Sequence, residues 1–315
     1  MPGEVAGAIT PVDGVLLIDK PVGVSSFQAL YPVKRAFRKT KIGHAGTLDP
    51  AASGLLVLGI GSGTRLLEFL EALHKVYRFT LRLGITTDTY DLDGEVLQRH
   101  DASGITREQI EALLPQFRGA INQIPPAYSA IKIDGKRAYE RARAGETVAM
   151  VARPVHVNSL EIISFEPGSG EKAASAVLEL DCSKGTYVRT IAHDLGQLLG
   201  CGAVAEGIRR TAIGPFRVED AVAPDAVTHT DVSPVENAVS HLTPLGLKPD
   251  WVTPLLHGNP VPPGGYAALP RRADTTPAAD ATVCAVFSPA GKLLAIGDVD
   301  TTGYLKPRKV FPTHG

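Results

Sequence analysis

Apolar and polar positions repeat along this chain with two different periods, and the places where the period changes mark its elements. Residues 14–19 (Gly-Val-Leu-Leu-Ile-Asp) are an apolar run that predicts a buried strand. Phe27, Leu30, Val33 and Phe37 follow at helical spacing, behind Ser25 and Ser26, either of which can cap the helix. An apolar strand at 54–60 precedes a helix near 64–73. Strands at 76–83 and 94–98 bracket an acidic turn, and Thr106 with Gln109 makes a capping box for a helix to about 114. Residues 120–152 mix a Pro-Pro pair, a short strand and a basic helix at 135–143. Strands near 154–165 and 174–182 lead to a helix at 188–199 and a strand around 204–213. With no regular β-α-β alternation, this is an α+β pattern with many antiparallel strands.

Beyond residue 220 the texture changes. Residues 221–265 are proline-rich and poor in charge. Short strands follow at 282–288, 292–298 and 305–311, the first two joined by Ser-Pro-Ala-Gly-Lys, a hairpin signal. Two domains are expected, 1–247 and a small β-rich 248–315.

Composition narrows the class. At 315 residues, 44% hydrophobic and 21% charged, the chain can bury a sizeable core. It shows no secretion signal and no apolar run of membrane-spanning length, so a cytoplasmic protein off the membrane is expected. Cys182, Cys201 and Cys284 are far apart and form no Cys-x-x-Cys pair, which fits a reducing compartment without structural zinc. The net charge is −1, but the charges are segregated. Lys34, Arg35, Arg38, Lys39 and Lys41 form one basic run; residues 132–153 are also rich in Lys and Arg; acids gather at 88–101. Either basic run alone reads first as a solvated helix face, while both together suit phosphate binding.

The chemistry concentrates in residues 43–54, Gly-His-Ala-Gly-Thr-Leu-Asp-Pro-Ala-Ala-Ser-Gly. Pro50 drives Asp49 toward extended or turn backbone, and Gly43 and Gly46 are expected to leave room for another molecule. A carboxylate held this way is a turn-former or a reactive group. The glycine-rich 58–64 lacks dinucleotide-binding spacing and a ribose-binding acid, and reads as a tight turn. Asp91-Leu92-Asp93-Gly94 has Ala102 where a calcium loop needs Glu, and reads as a hairpin turn. The histidines share no ligand spacing, so no metal is expected. Tyr77 opens a strand, and Tyr187 and Arg189 sit where a strand gives way to a helix. Alone, the tyrosines read as core residues and Arg189 as an ordinary ion-pair partner; an Arg189–Asp49 pair would hold the carboxylate ionised and aimed.

Taken in order, these segments resemble the TruB family of tRNA pseudouridine synthases. The resemblance rests first on Lys41-Ile42-Gly43-His44-Ala45-Gly46-Thr47-Leu48-Asp49-Pro50 followed by Ala52-x-Gly54. It continues through Gly14 to Pro21, Lys75-x-Tyr77, Leu83-Gly84, Thr87-Asp88-Thr89-x-Asp91 and Pro125-Pro126-x-Tyr128-Ser129-Ala130-x-Lys132. Cys182-Ser183-Lys184-Gly185-Thr186-Tyr187-x-Arg189 and Arg209-Arg210 complete it, and Leu256-His257-Gly258 hints at an RNA-binding PUA-like end.

The resemblance implies a pseudouridine synthase-type mainly antiparallel sheet flanked by helices, with a thumb-like RNA-binding insertion at about 124–152. It implies conversion of the T-loop uridine at tRNA position 55 to pseudouridine, without metal or organic cofactor, by a protein that needs no obligate protein partner and no more than a monomer. Asp49 would be the essential carboxylate, acting as nucleophile or as base toward the sugar. Arg189 would pair with it and Tyr77 would stack on the flipped-out base. His44 would fill the vacated space, Tyr187 and Ile208 would hold the uracil, and Lys20 would support the site. Ile208 stands where the family has leucine, a volume-conserving swap. Basic residues at 34–41 and 132–153 would meet phosphates. Two other readings share parts of the pattern: a guide-RNA-dependent, dyskerin-like synthase, and an RNA-binding or tRNA-folding chaperone without chemistry.

Overall fold

The computed structural model describes residues 12–129, 131–133, 135–146, 149–169, 172–271 and 283–311. Parts of the expected insertion and of the basic segment 132–153 therefore lie outside the described residues, as does the first residue of the expected strand 282–288. In chain order the structure begins with β1 (Gly14–Lys20), α1 (Ser26–Ala36), β2 (Ile42–His44), β3 (Ser53–Ile60), α2 (Leu67–Ala72), β4 (Lys75–Leu83), β5 (Ile85–Thr87), β6 (Val96–Arg99), α3 (Arg107–Leu113) and β7 (Gly119–Gln123). A small hairpin, β8 (Lys132–Ile133) and β9 (Lys136–Arg137), leads to α4 (Ala138–Arg143). Then come β10 (Arg153–Glu166), β11 (Ser175–Cys182), α5 (Val188–Leu198), β12 (Ala203–Ile213) and β13 (Phe216–Arg217). The remainder is β14 (Thr243–Leu247), α6 (Val252–Leu256), β15 (Tyr266–Ala268), β16 (Val283–Phe287), β17 (Leu293–Val299) and β18 (Leu305–Val310).

Nine of these strands form one sheet, in the order β1-β3-β12-β4-β11-β10-β7, with β2 on β3 and β13 on β12. Every pairing is antiparallel except β3 with β12. The long β10 shows how the pattern sets the strand: Val155 and Val157 alternate inward, Leu160 and Ile162 resume after a slip, and the ladder carries its irregularity between Val157 and Ser159. One core packs β4, β10, β11 and β12 against α3 and α5, and a second packs α1 on β1 and β3. A third contains Val57, Leu66 and Val239 together with Ala285, Ile296 and Phe311, so the terminal sheet shares a core with the nine-stranded sheet. That terminal sheet runs β15-β14-β16-β17-β18. Its strand β14 lies just before residue 248, the sequence-based boundary. Among the described residues no helix is long and apolar enough to cross a membrane.

Three local expectations are corrected and one strand is added. The 94–98 segment does not flank β4: both edges of β4 are taken by β11 and β12, so β6 closes on β5 as a separate ribbon. The helix expected at 64–73 begins as a 3-10 turn over Gly61–Leu66 and is α-helical only over Leu67–Ala72. The basic helix expected from 135 starts at Ala138, after the β8–β9 hairpin. Strand β2, three residues long, is too short to leave a periodic signal and exists through pairing with β3. The capping box expected at Thr106 forms, α1 carries one as well, and the two serines before α1 divide the work. Ser25 caps the helix with Gln28, which leaves Ser26 free for another contact.

Candidate active site

The loop carrying Asp49 is fastened from three directions. The buried Ser26 hydroxyl accepts from the Leu48 N–H at 2.8 Å and donates to the Leu48 carbonyl at 2.9 Å, tying the start of α1 to the residue before Asp49. The Gly23 N–H donates to the Pro50 carbonyl at 2.8 Å. Beneath, the Lys20 ammonium donates to the carbonyls of Pro21 (2.9 Å), Val24 (2.7 Å) and Pro50 (3.5 Å). Lys20 is fully buried, so it sits under the loop as an anchor, and burial pulls its pKa down to about 8 against the pull of Asp49.

Two glycines do something other than expected. A Cβ on Gly43 would lie 2.7 Å from Leu67 Cδ1, so its bareness serves packing within the protein. Gly46 holds φ +88°, and a Cβ there would point at Arg210 and Lys75. At Gly43 the space is filled from inside by Leu67, while at Gly46 the left-handed backbone is what calls for glycine.

Asp49 itself reaches out, its side chain 50% exposed, and one carboxylate oxygen meets Arg189 NH2 at 2.8 Å. Arg189, only 6% exposed, lies in the first turn of α5 and spends its remaining N–H groups locally. NH1 donates to the Thr89 carbonyl at 2.9 Å and faces Asp91 at 3.4 Å, while NH2 also donates to the Tyr128 carbonyl at 2.9 Å. The guanidinium is thus fixed by four groups from three segments, and Asp49 is the most solvent-accessible of its acidic partners. The acidic turn at 88–95 is a turn, as the sequence reads it, with an added use. Asp91 is held there by the Thr89 hydroxyl (2.6 Å) and the Asp93 N–H (3.1 Å).

Between Thr89 and Asp91, Tyr90 adopts φ +63°, a left-handed conformation unusual for a tyrosine. Its ring stacks on His193 at 3.8 Å, one helical turn beyond Arg189 on α5. At the start of α5, the Gln123 side-chain amide clamps Tyr187, accepting from its N–H at 2.7 Å and donating to its carbonyl at 3.0 Å.

The other expected residues sit on β2, β4 and β12 and at the start of α5. Tyr77 lies in the middle of the sheet, on β4 opposite Leu180 of β11 and Arg210 of β12. Burial raises the pKa values of both Tyr77 and Tyr187, and the Asp49 charge adds to both shifts, so both phenols stay protonated at neutral pH. Ile208 falls in an irregularity of β12, between the registered residues Glu206 and Arg209, and packs against the main core. His44 ends β2; burial and then the Arg210 charge lower its pKa, which favours the neutral imidazole. Sequence reasoning gives Arg210 no role. It is almost fully buried, donating to the carbonyls of Leu55 (2.8 Å) and Gly46 (3.1 Å), and so holds the inner side of the Asp49 loop. Gln123, Tyr90 and His193 are also missed, because nothing in local spacing links residues that meet only through the fold.

What the arrangement can do is present one carboxylate oxygen to a bound group, on a loop fastened from within, with two protonated phenols close enough to feel its charge and buried cations beneath. Comparisons with known proteins show the family. A model of the TruB family pseudouridylate synthase N-terminal domain matches residues 34–188, and one of the tRNA pseudouridylate synthase B C-terminal domain matches 189–241. A protein of Stutzerimonas stutzeri named tRNA pseudouridine synthase B is 40% identical over 313 residues, covering 95% of this chain and 96% of its own. One of Azoarcus sp. with the same name is 40% identical over 309 residues, covering 96% of each. Among solved structures, a Cbf5-Nop10-Gar1 complex contains a chain of the same fold, with TM-score 0.69 and 24% identity over 95% of this chain and 85% of that one.

Proposed function

The chain belongs to the TruB family of pseudouridylate synthases, and we propose that it converts uridine to pseudouridine in the T loop of tRNA, acting alone and without a cofactor. The reaction is an isomerisation. The glycosidic C–N bond breaks, the uracil turns in the pocket, a C–C bond forms to the same sugar carbon, and the proton lost from the ring carbon is balanced by one gained at the freed nitrogen. Nothing is oxidised and no group leaves, so the work asked of the protein is positioning and charge stabilisation.

Asp49 is the essential carboxylate, acting on the sugar, and Arg189 pairs with it and aims it. Tyr77 stacks on the base, Tyr187 and Ile208 hold the uracil, and His44 occupies the space the base leaves. Flipping the target base costs roughly a few kcal/mol of unstacking, which binding to these residues offsets. Lys20 acts through the loop as a positioning residue. One observation carries the reading: a half-exposed carboxylate clamped at 2.8 Å by an otherwise buried, fully engaged arginine. An RNA chaperone without chemistry has no use for that pairing.

The test is wild type against Asp49→Asn on unmodified tRNA, with no added donor or metal, mapping pseudouridine by position. The wild type should modify the T-loop uridine, and Asp49→Asn should bind the same tRNA without modifying it. Full-rate modification by Asp49→Asn overturns the assignment.

A further inference from the structure

Between Lys20 and Asp49 the chain contains no carboxylate. Within that stretch, α1 turns Ser26, Ala29, Leu30 and Val33 inward and leaves Phe27, Tyr31, Lys34 and Arg35 on its outer face. These positions, extended past the helix end to Arg38, follow i, i+4, i+7, i+8 and i+11 spacing and form one stripe. Phe27 is 56% and Tyr31 51% exposed, a costly way to display aromatic rings without a partner. The two rings meet edge to face at 5.3 Å, and the Lys34 ammonium lies 4.6 Å from the centre of the Phe27 ring.

The charges along this stripe also differ from those elsewhere on the surface. Arg78, Arg82, Arg107 and Lys172 each pair with a glutamate at 2.7 to 2.9 Å. Among the described residues, Lys34, Arg35, Arg38, Lys39 and Lys41 have no carboxylate within ion-pair distance. At the far end a cleft of about 310 Å³ opens between Arg35 and Arg38, beside the Phe37 ring on which His229 stacks at 4.8 Å.

We propose that this stripe is a second RNA-binding surface, one that grips the tRNA backbone outside the target loop. The partner follows from the chemistry. Unneutralised cations suit phosphates, and exposed rings interleaved with them suit an unpaired base or a ribose. The reach follows from the geometry. Ser26 fixes the start of α1 beside Asp49, and an 11-residue helix extends about 16 Å at roughly 1.5 Å per residue. The stripe therefore leads away from the reacting nucleotide and ends in the cleft, farther than a flipped base and its immediate neighbours extend.

This inference rests on the tRNA reading above, and the experiment keeps the two apart. Two variants are compared with the wild type, Lys34→Gln/Arg35→Gln/Arg38→Gln/Lys39→Gln and Phe27→Ala/Tyr31→Ala. KM and kcat are measured on full-length unmodified tRNA and on a minimal hairpin of the T loop with only its closing pairs, and direct binding is measured across a salt series. For the charge variant, KM on full-length tRNA should rise about tenfold or more with kcat held, and the salt slope should fall by about one per charge removed. The aromatic variant should raise KM several-fold with its salt slope unchanged. On the hairpin both variants should stay within about twofold of wild type. Wild-type KM and salt slope on full-length tRNA, or equal losses on tRNA and hairpin, overturn the proposal. So does unchanged tRNA binding with a loss of self-association in sedimentation, which would assign the stripe to a second copy of the chain. If the wild type makes no pseudouridine on either RNA, it is the functional reading that fails.

Discussion

Two buried arginines grip the Asp49 loop, and they are built on opposite principles. Arg189 holds it from the open side, pairing with Asp49 and Asp91, so its charge is balanced and one partner faces solvent. Arg210 holds it from the dry side through the carbonyls of Leu55 and Gly46, with no carboxylate within ion-pair distance among the described residues. Lys20 and Lys75 lie in the same interior, and the Arg210 charge adds to the lowering that burial imposes on both. Carbonyl dipoles let a protein bury a cation as a fastener, while a carboxylate makes the cation part of a directed pair. The first arginine therefore aims a reactive group and the second keeps its backbone in place. The surplus positive charge below the loop further favours a polyanion above it.

Exchanging the chemistry of each arginine separates those roles. Arg189→Lys keeps the charge but loses the planar fork that touches Asp49, Asp91 and two carbonyls at once. Turnover should fall about 100-fold, roughly 2.7 kcal/mol in barrier, with tRNA affinity retained and the melting temperature within a few degrees of wild type. Arg210→Met should reverse the pattern. Two buried carbonyls lose their donor, costing about 2 kcal/mol of stability, while turnover per folded molecule stays within about tenfold. The same substitution removes a charge that depresses the His44 pKa, so His44 should titrate higher by NMR. If Arg210→Met abolishes turnover without destabilising, or Arg189→Lys destabilises as much as Arg210→Met, the two arginines do not differ as argued.

The contrast also marks what could be read from the chain. Elements with a long apolar period are legible, β1 and α1 with its cap among them, whereas the slip in β10 shows only in its pairing with β11. Asp49, Tyr77, Tyr187 and Arg189 stand out as chemistry-bearing residues, and the resemblance brings them together. What stays hidden is whatever depends on a neighbour from elsewhere in the fold. Gly43 looks like room for RNA, yet the neighbour that uses its bareness is Leu67, far from it in sequence, and Gly46 is called for by its left-handed backbone. Asp91 reads as a turn residue because its second partner lies on α5, and Gln123 reads as nothing in particular until it clamps Tyr187.

A milder test addresses how Arg189 itself is held. The left-handed Tyr90 lets Thr89 and Asp91 meet the same guanidinium nitrogen, and its ring is pinned on His193. Tyr90→Gly removes about 1 kcal/mol of backbone strain but also the pin. Stability should therefore change little while kcat falls about fivefold to tenfold with KM for tRNA unchanged. Tyr90→Phe, which keeps the stack, should restore kcat. Equal kcat for all three proteins would show that the stack does not help to set Arg189.

The smallest effect is a pH dependence of stability that only the dry side should produce. Lys75 is buried, donates to the carbonyls of Glu71 and Leu73, and has its pKa lowered from 10.5 to about 8, first by desolvation and then by Arg210. Below pH 8 the ammonium is charged in both folded and unfolded chains, and the full cost of burying it is present. Between about pH 8 and pH 10 the unfolded chain holds the proton more tightly than the folded one, so stability should rise with pH through this window. Lys20, with its pKa also lowered to about 8, contributes with the same sign. Chemical denaturation across the window should give a positive slope in unfolding free energy for the wild type, reduced in Lys75→Met by the share of one group. Arg189→Lys should keep the wild-type contribution of Lys75 and Lys20, since it leaves the dry side intact. A slope in Lys75→Met equal to that of the wild type would mean that Lys75 ionises in the folded protein as it does in water, and that the interior beneath the loop is wetter than its carbonyl-lined packing implies.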